Sequence, residues 1–347
     1  MVIENGGSIH PLIIPSSDTA GLGLMNPSIY NDNNRILVNI RSINYTLYHS
    51  EASQRFIQRW GPLSYLNPEN DVKLKTNNFI CVLNDDLEII YHSKVNTSKL
   101  DRVPVWEFHG LEDARIVRWD GKLYISGVRR DVKENGEGRM ELSEIEFHKN
   151  GVREIKRYRI PDPLDDDKVY CNKNWIPILD MPYHYVKWTN PLEIVKYDIK
   201  DKSCKTVLLK KERQPYKFDF RGGSQVINYG DYRIYLIHET CVYCNINKQK
   251  DANYLHRFIV FDKDWNMVHV SDEFSFMTAK IEFSCGMAEY NNDLLITFGF
   301  QDNAAYLLKI PREYINRAIG YDITGINRHS KDSKIDEVLK IKELMRI

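Results

Sequence analysis

Two carboxylates, Glu112 and Asp113, stand side by side in the run "FHGLEDARIVRWDGKLYISGVRRD", and two cations, Arg129 and Arg130, close it. The residues between them read as two strands around a tight Asp-Gly turn. A hairpin returns its two ends to one place, so acids and cations meet there. Such a meeting either decorates a surface or equips an active site with a proton carrier beside an anion grip. Arg221 in "FRGG" adds a further cation. Glycines 222 and 223 beside it would let backbone amides approach an anion.

The elements that must position these groups are short strands. "RILVNIRS", "FICVLNDDLEIIYHS", "VINYGDYRIYLIHET", "RFIVFDKDWNMVHVS" and "MAEYNNDLLITFGF" each read as strand, polar turn, strand. Long amphipathic helices are missing up to the C-terminal stretch. The class is all-β and antiparallel. The segments Ile116 to Val128, Val226 to His238 and Met287 to Phe300 echo one another, and full cycles of roughly 60–70 residues suit four-stranded propeller blades. About five blades would fill the chain to about Pro311. A pair of β-sandwiches is the competing architecture, but the repeat runs on without a linker. In a propeller, polar residues at the start of each inner strand converge on the axis from different blades. The stretch "SKIDEVLKIKELMRI" has helical spacing and predicts a C-terminal helix, capped by Asp332 or Ser333. The expected organisation is a five-bladed β-propeller over 1–315 and a helical extension over 316–347.

Composition narrows the function. The 347 residues carry 48 basic and 48 acidic side chains and no net formal charge. That balance argues against a nucleic-acid partner, so any anion site is local. No signal peptide and no membrane span are expected, which points to a cytoplasmic protein. Cys241 and Cys244 form a C-x-x-C pair without a second pair or suitable histidines, so ordinary reduced thiols are expected rather than zinc. The acidic run Asp165 to Asp167 reads as a solvated loop. No metal and no cofactor are expected.

The run "GLEDARIVRWDGKLYISGV" resembles the Gly-x-Glu-Asp-x-Arg-Ile signature of glycoside hydrolase family 130, the β-mannoside phosphorylases and mannosidases. Further stretches resemble that family in the same order. They are "MNPSIYNDNNRILVNIRSINY", "NKNWIPI", "RGGSQVINYGDYRIYLIHE" and "IEFSCGMAEYNNDLLITFGFQD". The match spans roughly residues 20 to 310. The resemblance implies a five-bladed propeller that transfers a mannose-like glycosyl unit with inversion, with Asp113 as acid/base. It implies Arg129, Arg130, His238, Arg221 and Lys173 as the grip on phosphate or a phosphorylated donor. It implies Asn26, Arg41, Arg115, Asn174, Trp175, Glu282 and Asp302 as sugar contacts. The partners implied are an oligosaccharide or glycan acceptor, and inorganic phosphate or a sugar-phosphate or nucleotide-sugar donor. A homo-oligomer is left open.

Inverting transfer needs an acid on the leaving oxygen and a nucleophile on the opposite ring face. A hydrolase needs a second carboxylate to activate water, for which Glu239 or Glu282 is available; a phosphorylase needs cations instead. Other assignments stay open. Glu112 could be the acid with Asp113 a structural cap. Arg130 could pair with Asp131 at the surface, and His238 could be a core histidine. Trp106, Trp175 and Trp188 could stack on sugars or pack the core. A catalytically inactive sugar-binding propeller is the remaining alternative. The chain departs from the family pattern at Ala114, where proline is usual. It departs again at Lys187 to Pro191, where a His-Arg-Pro ending is usual, and in "ISGVRRD". These departures resemble a divergent branch of glycosyltransferases and bear on the acceptor and the direction of reaction.

Overall fold

The computed structural model describes residues 3–320 apart from 47–54, 59–60, 66–72, 165–170, 212–213, 217, 219, 245 and 247–249. The expected helix after Ser333 and the Asp165–Asp167 run lie outside the described residues. Strand-turn-strand units close into five antiparallel sheets arranged as the blades of a propeller, as the sequence pattern predicts. Blade 1 holds Gly23–Asp32, Arg35–Ile43, Leu74–Leu83 and Ile89–Lys94. Blade 2 holds Leu111–Trp119, Lys122–Arg129, Arg139–His148 and Gly151–Arg159. Blade 3 holds Ile176–Pro177, His184–Thr189, Leu192–Asp198 and Ser203–Leu209. Blade 4 has an interrupted inner strand, Arg221–Gly222 and Ile227–Tyr229, followed by Tyr232–Cys244, Lys250–Phe261 and Met267–Val270. Blade 5 holds Glu282–Tyr290, Asp293–Phe300 and Ala304–Pro311.

The fourth strand of blade 5 is N-terminal: Ser8–Pro11 pairs antiparallel with Ala304–Pro311, Ser8 opposite Lys309. The two ends of the chain are thereby joined in one sheet, and the ring has no seam at that blade. A helix, Arg312–Ala318, follows and buries Ile315 against blades 4 and 5. The expected boundary after residue 315 falls inside it.

Both faces of a blade are covered by its neighbours, so strand alternation sends successive residues to opposite interfaces. In Lys122–Arg129, Leu123 and Ile125 join the apolar cluster with blade 1, while Tyr124 and Val128 join the cluster with blade 3. In Arg35–Ile43, Leu37 faces blade 2 and Val38 and Ile40 face blade 5. Each of the five interfaces between adjacent blades has such a cluster.

The axis itself is polar and closed. Gln225, fully buried, donates from Nε2 to the carbonyls of Ile29 and Ile116, both at 2.9 Å, and its Oε1 accepts from the Met287 amide at 3.2 Å. Ser28 Oγ donates to the Ala114 carbonyl at 2.7 Å, and Thr297 Oγ1 to that of Pro27 at 2.7 Å. These bonds lace the blades together at the axis, so a ligand on the axis must sit at the mouth where the inner strands begin.

Candidate active site

Three inner strands are bulged at their entry. The register breaks between Met25 and Ser28, between Glu112 and Arg115, and between Ser284 and Gly286. A bulge adds an unpaired residue and re-aims its side chain. The residues so released in blades 1 and 2 are Asn26, at φ 44°, and Asp113, at φ 48°. Asn and Asp tolerate this left-handed conformation better than other side chains. Both point inward and meet: Asn26 Nδ2 donates to Asp113 Oδ1 at 2.8 Å.

Arg41 completes the contact. It lies two positions beyond Asn39 on the face of blade 1 that looks at blade 2, and its Nη1 donates to the same Asp113 oxygen at 2.8 Å. The guanidinium is held from behind by the Thr76 hydroxyl, at 3.3 Å from Nε and 3.2 Å from Nη2, and by the Tyr45 hydroxyl at 2.7 Å. Burial alone would raise the Asp113 pKa. The Arg41 charge, the Asn26 amide and the Arg115 charge together outweigh burial and bring it below the usual aspartate value. Asp113 is therefore a carboxylate at neutral pH. Glu112 lies between two cations, 3.7 Å from Arg41 Nη2 and 3.5 Å from Arg130 Nε.

Arg115 forms the floor between blades 2, 3 and 4. It is 1 % exposed. Its Nη1 donates to the Asp113 carbonyl at 2.7 Å and to Asn174 Oδ1 at 3.3 Å, and its Nε and Nη2 donate to the Gly223 carbonyl at 3.0 and 2.9 Å. Glycines 222 and 223 thus turn carbonyls, not amides, toward this cation. Their missing Cβ atoms leave room for the Asn174 and Leu236 backbones rather than for a ligand.

On the blade 4 side, His238 pairs in register with Arg221. Its ring stacks on Tyr254 at 5.5 Å and meets Phe283 edge-on at 4.7 Å. Burial, the His256 ring and the nearby charges of Arg221, Lys173 and Arg115 hold its pKa well below the ordinary histidine value. His238 is neutral, and its Nδ1 has no partner. Lys173 is exposed at the start of blade 3. Arg221, Lys173 and His238 therefore gather at one side of the mouth, above the Arg115 floor.

The other expected residues are placed differently. Arg129 turns toward blade 1, where Glu141 Oε2 accepts from its Nε at 2.7 Å and Asp131 lies 3.3 Å from its Nη1; only Arg130 of the pair reaches Glu112. Arg130 therefore pairs with Glu112 at the mouth, a partner other than the Asp131 considered from sequence. Trp175 is 2 % exposed and packs edge-on against Tyr185, so no ring face is open to a sugar. Glu282 is fully buried, and its carboxylate accepts from the amides of Phe276, Met277 and Ala279. Glu239 pairs with Arg257 on the face turned toward blade 3. Asp302, at φ 53°, sits in the turn above blade 5 at the mouth end. Lys187, at the divergent blade 3 position, forms a buried ion pair with Asp162 at 2.9 Å. Cys241 and Cys244 are exposed, three positions apart on one strand and so on opposite faces.

Sequence reasoning missed Thr76 and Tyr45, which seat Arg41, and Gln225, which plugs the axis. No local signal marks Thr76, Tyr45 and Gln225, since each acts through a partner on another strand. Cys285, in the Cys-Gly turn quoted from sequence, is the bulge residue of blade 5, and burial pushes its thiol up to about 12.

No protein-family model matches the chain, and no curated protein matches it in sequence. Solved structures do match. One is the β-1,2-mannobiose phosphorylase of Listeria innocua in complex with β-1,2-mannobiose, at 12 % identity and a TM-score of 0.50, covering 86 % of this chain and 92 % of that one. Another is a glycosyl hydrolase of Bacteroides ovatus, at 13 % identity and a TM-score of 0.56, covering 84 % and 85 %. At such identity the likeness establishes the shared five-bladed fold.

Proposed function

We propose that the chain is a carbohydrate-active enzyme that moves a mannose-like unit with inversion between an oligosaccharide and phosphate or a phosphorylated donor. The observation that carries this reading is the division of charge at the mouth. An ionised Asp113, clamped by Asn26 and Arg41, stands at blades 1 and 2. A cationic group made by Arg221 and Lys173 beside neutral His238 stands at blades 3 and 4, with Arg115 of blade 2 as the floor between the two sides. A pyranose between them would have a proton carrier on one face and an anion on the other. In the synthetic direction, Asp113 in its resting ionised form takes the proton of the acceptor hydroxyl as that oxygen attacks the anomeric carbon, and the donor phosphate leaves into the cationic side. In phosphorolysis the same carboxyl must first gain a proton, which the Arg41 contact opposes. The resting ionised form is the one that the synthetic step uses, while the direction of net transfer is set by the concentrations of donor, acceptor and phosphate. Hydrolysis is supported less well, because Glu239 and Glu282, the carboxylates that would activate water, are committed to Arg257 and to three backbone amides.

The test is an assay with mannobiose, and separately with mannose 1-phosphate or a mannosyl nucleotide plus mannobiose, each with and without inorganic phosphate. Anomeric proton NMR follows the products. Products that require phosphate or a phosphorylated donor, with inverted configuration, are expected. Free mannose released from mannobiose by water alone would replace this reading with hydrolysis. An Asp113→Asn variant should lose about 10²–10⁴ in rate, and one that keeps its turnover would remove Asp113 from the chemistry.

A further inference from the structure

The apolar contact between blades 1 and 2 stops short of the mouth end of these blades. Above Leu111, Val95 and Ile125 the two sheets part, and a cavity of about 790 Å³ opens beside the axial mouth. The segment 97–105 runs along its outer edge. Protein interiors leave few voids larger than a water molecule, and this volume lies in the range of small-molecule sites, ~300–1,000 Å³.

The buried part of its wall is polar and internally paired. Glu141 accepts from both Arg129, at 2.7 Å, and Arg159, at 2.6 Å, and Glu154 holds Arg157. The Glu141 and Glu154 side chains are 4 % and 1 % exposed. Burial of ion pairs gives little stability that apolar residues of equal size would not give, so packing alone does not account for them. Each of these three arginines already faces a carboxylate, Arg129 also Asp131, so the buried wall has no surplus cation to hold an anion, and the remaining basic side chains of the lining, Lys75 and Arg102, are exposed. The wall offers paired donors and acceptors instead, with the Thr76 and Asn78 side chains on the blade 1 side and apolar Val103, Val105 and Val132 at the rim. Groups that donate and accept in the same few ångströms, bordered by C–H surface, are sugar hydroxyls.

We propose that this cavity is a second carbohydrate subsite, off the propeller axis, that takes the neutral distal part of an oligosaccharide. The choice of a sugar rests on the reading of the axial mouth given above; the cavity and its paired wall do not. The two places adjoin. Thr76 lines the cavity and seats Arg41, which in turn holds Asp113. A chain with one end at the mouth can lie across the blade 1–blade 2 seam with its other end here. Arg129 then serves the oligosaccharide through the Glu141 pair, not the phosphate.

Hydrogen–deuterium exchange of the full chain with mannotetraose, and separately with inorganic phosphate, tests this. Mannotetraose should protect the peptide spanning 97–105, and should do so equally in Asp113→Asn. Thr97→Trp and Asn77→Trp, which intrude into the cavity, should each weaken that protection by about tenfold in sugar concentration and leave the protection of 221–226 at the mouth unchanged. Near-UV circular dichroism shows that each variant is folded. Absence of protection at 97–105, protection by phosphate in place of the sugar, or indifference to both tryptophans would overturn the subsite. Protection at 97–105 without any transfer activity would instead uphold the subsite and remove the catalytic reading.

Discussion

Asp113 receives two hydrogen bonds on one oxygen, from Asn26 and from Arg41, and that asymmetry decides its chemistry. Burial works to raise its pKa, but the cations and the amide lower it on balance. A group whose pKa is depressed in the folded state stabilises the fold above its unfolded pKa, and that stability is lost as pH falls through the folded value. Activity that needs the carboxylate ionised follows the same sign. Transfer in the synthetic direction should thus stay flat on the acid side down to roughly pH 4, the ordinary aspartate range. Arg41→Gln keeps hydrogen-bonding capacity and removes the charge. Its acid limb in kcat/KM should rise by about 1–3 pH units, the effect of one close opposite charge. Asn26→Ala, which removes only a neutral donor, should move the limb by less. A pH–rate profile of the three proteins checks the order; identical acid limbs would show that another group is the base. His238 contributes no limb between pH 5 and 8 in this scheme, because burial and its cationic neighbours hold it neutral throughout.

The element that delivers Asp113 is a bulge, and its geometry depends on a neighbouring blade. Asn26 packs against Gly299, on the second strand of blade 5, where an added Cβ would collide with Asn26 Oδ1 and its backbone nitrogen. Gly299→Ala should push Asn26 off Asp113 at a cost of about 1–3 kcal/mol in stability. It should also depress kcat more than it raises KM, because the carboxylate loses its position rather than the sugar its pocket. Urea denaturation and steady-state kinetics on one preparation separate the two effects, and an unchanged kcat would refute the coupling. At this scale much was legible from sequence. The strand-turn-strand units, including Ile116 to Val128 and Met287 to Phe300, are inner-blade hairpins because alternation and the Asp120-Gly121 and Asn291-Asn292 turns dictate them. The placement of Glu112 and Asp113 at the mouth followed from that. The shared role for Arg129 and Arg130 did not hold together, although strand parity argues against it: adjacent residues face opposite interfaces, and residue 129 has the parity of Leu123 and Ile125. Arg41 and Glu282 show the other limit. One is drawn to the site by Thr76 and Tyr45 and the other away from it by three amides of a loop, and no local pattern encodes either pull.

A propeller positions its site only while the ring is closed, and here closure rests on a short pairing distant in sequence. Gln225 ties the inner strands of three blades at the centre, but it cannot hold the outer edge of blade 5. Among the described residues that edge is covered by Ser8–Pro11, through pairs from Ser8–Lys309 to Pro11–Tyr306. Leu12 and Ile14, directly after it, belong to the core between blades 5 and 1, so the covering strand is anchored at its C-terminal end and pulls those residues into place. A chain lacking residues 1–11 would keep every mouth residue and Leu12, yet would expose Ala304–Pro311 as a free strand edge. Loss of a few ladder bonds at about 1 kcal/mol each should lower the melting temperature by several degrees. The open edge should also promote self-association, since unpaired strand groups are templates for pairing. The expected result is a lower transition by differential scanning calorimetry and a concentration-dependent shift in size-exclusion chromatography. Residual transfer activity at low protein concentration should persist, because Asn26, Asp113 and Arg41 are held by blades 1 and 2 without that strand. A truncated chain that melts like the full one and runs as the same species would show that the inner laces alone close the ring. Loss of activity in a chain that still melts cooperatively would show that the mouth depends on tension carried round all five blades.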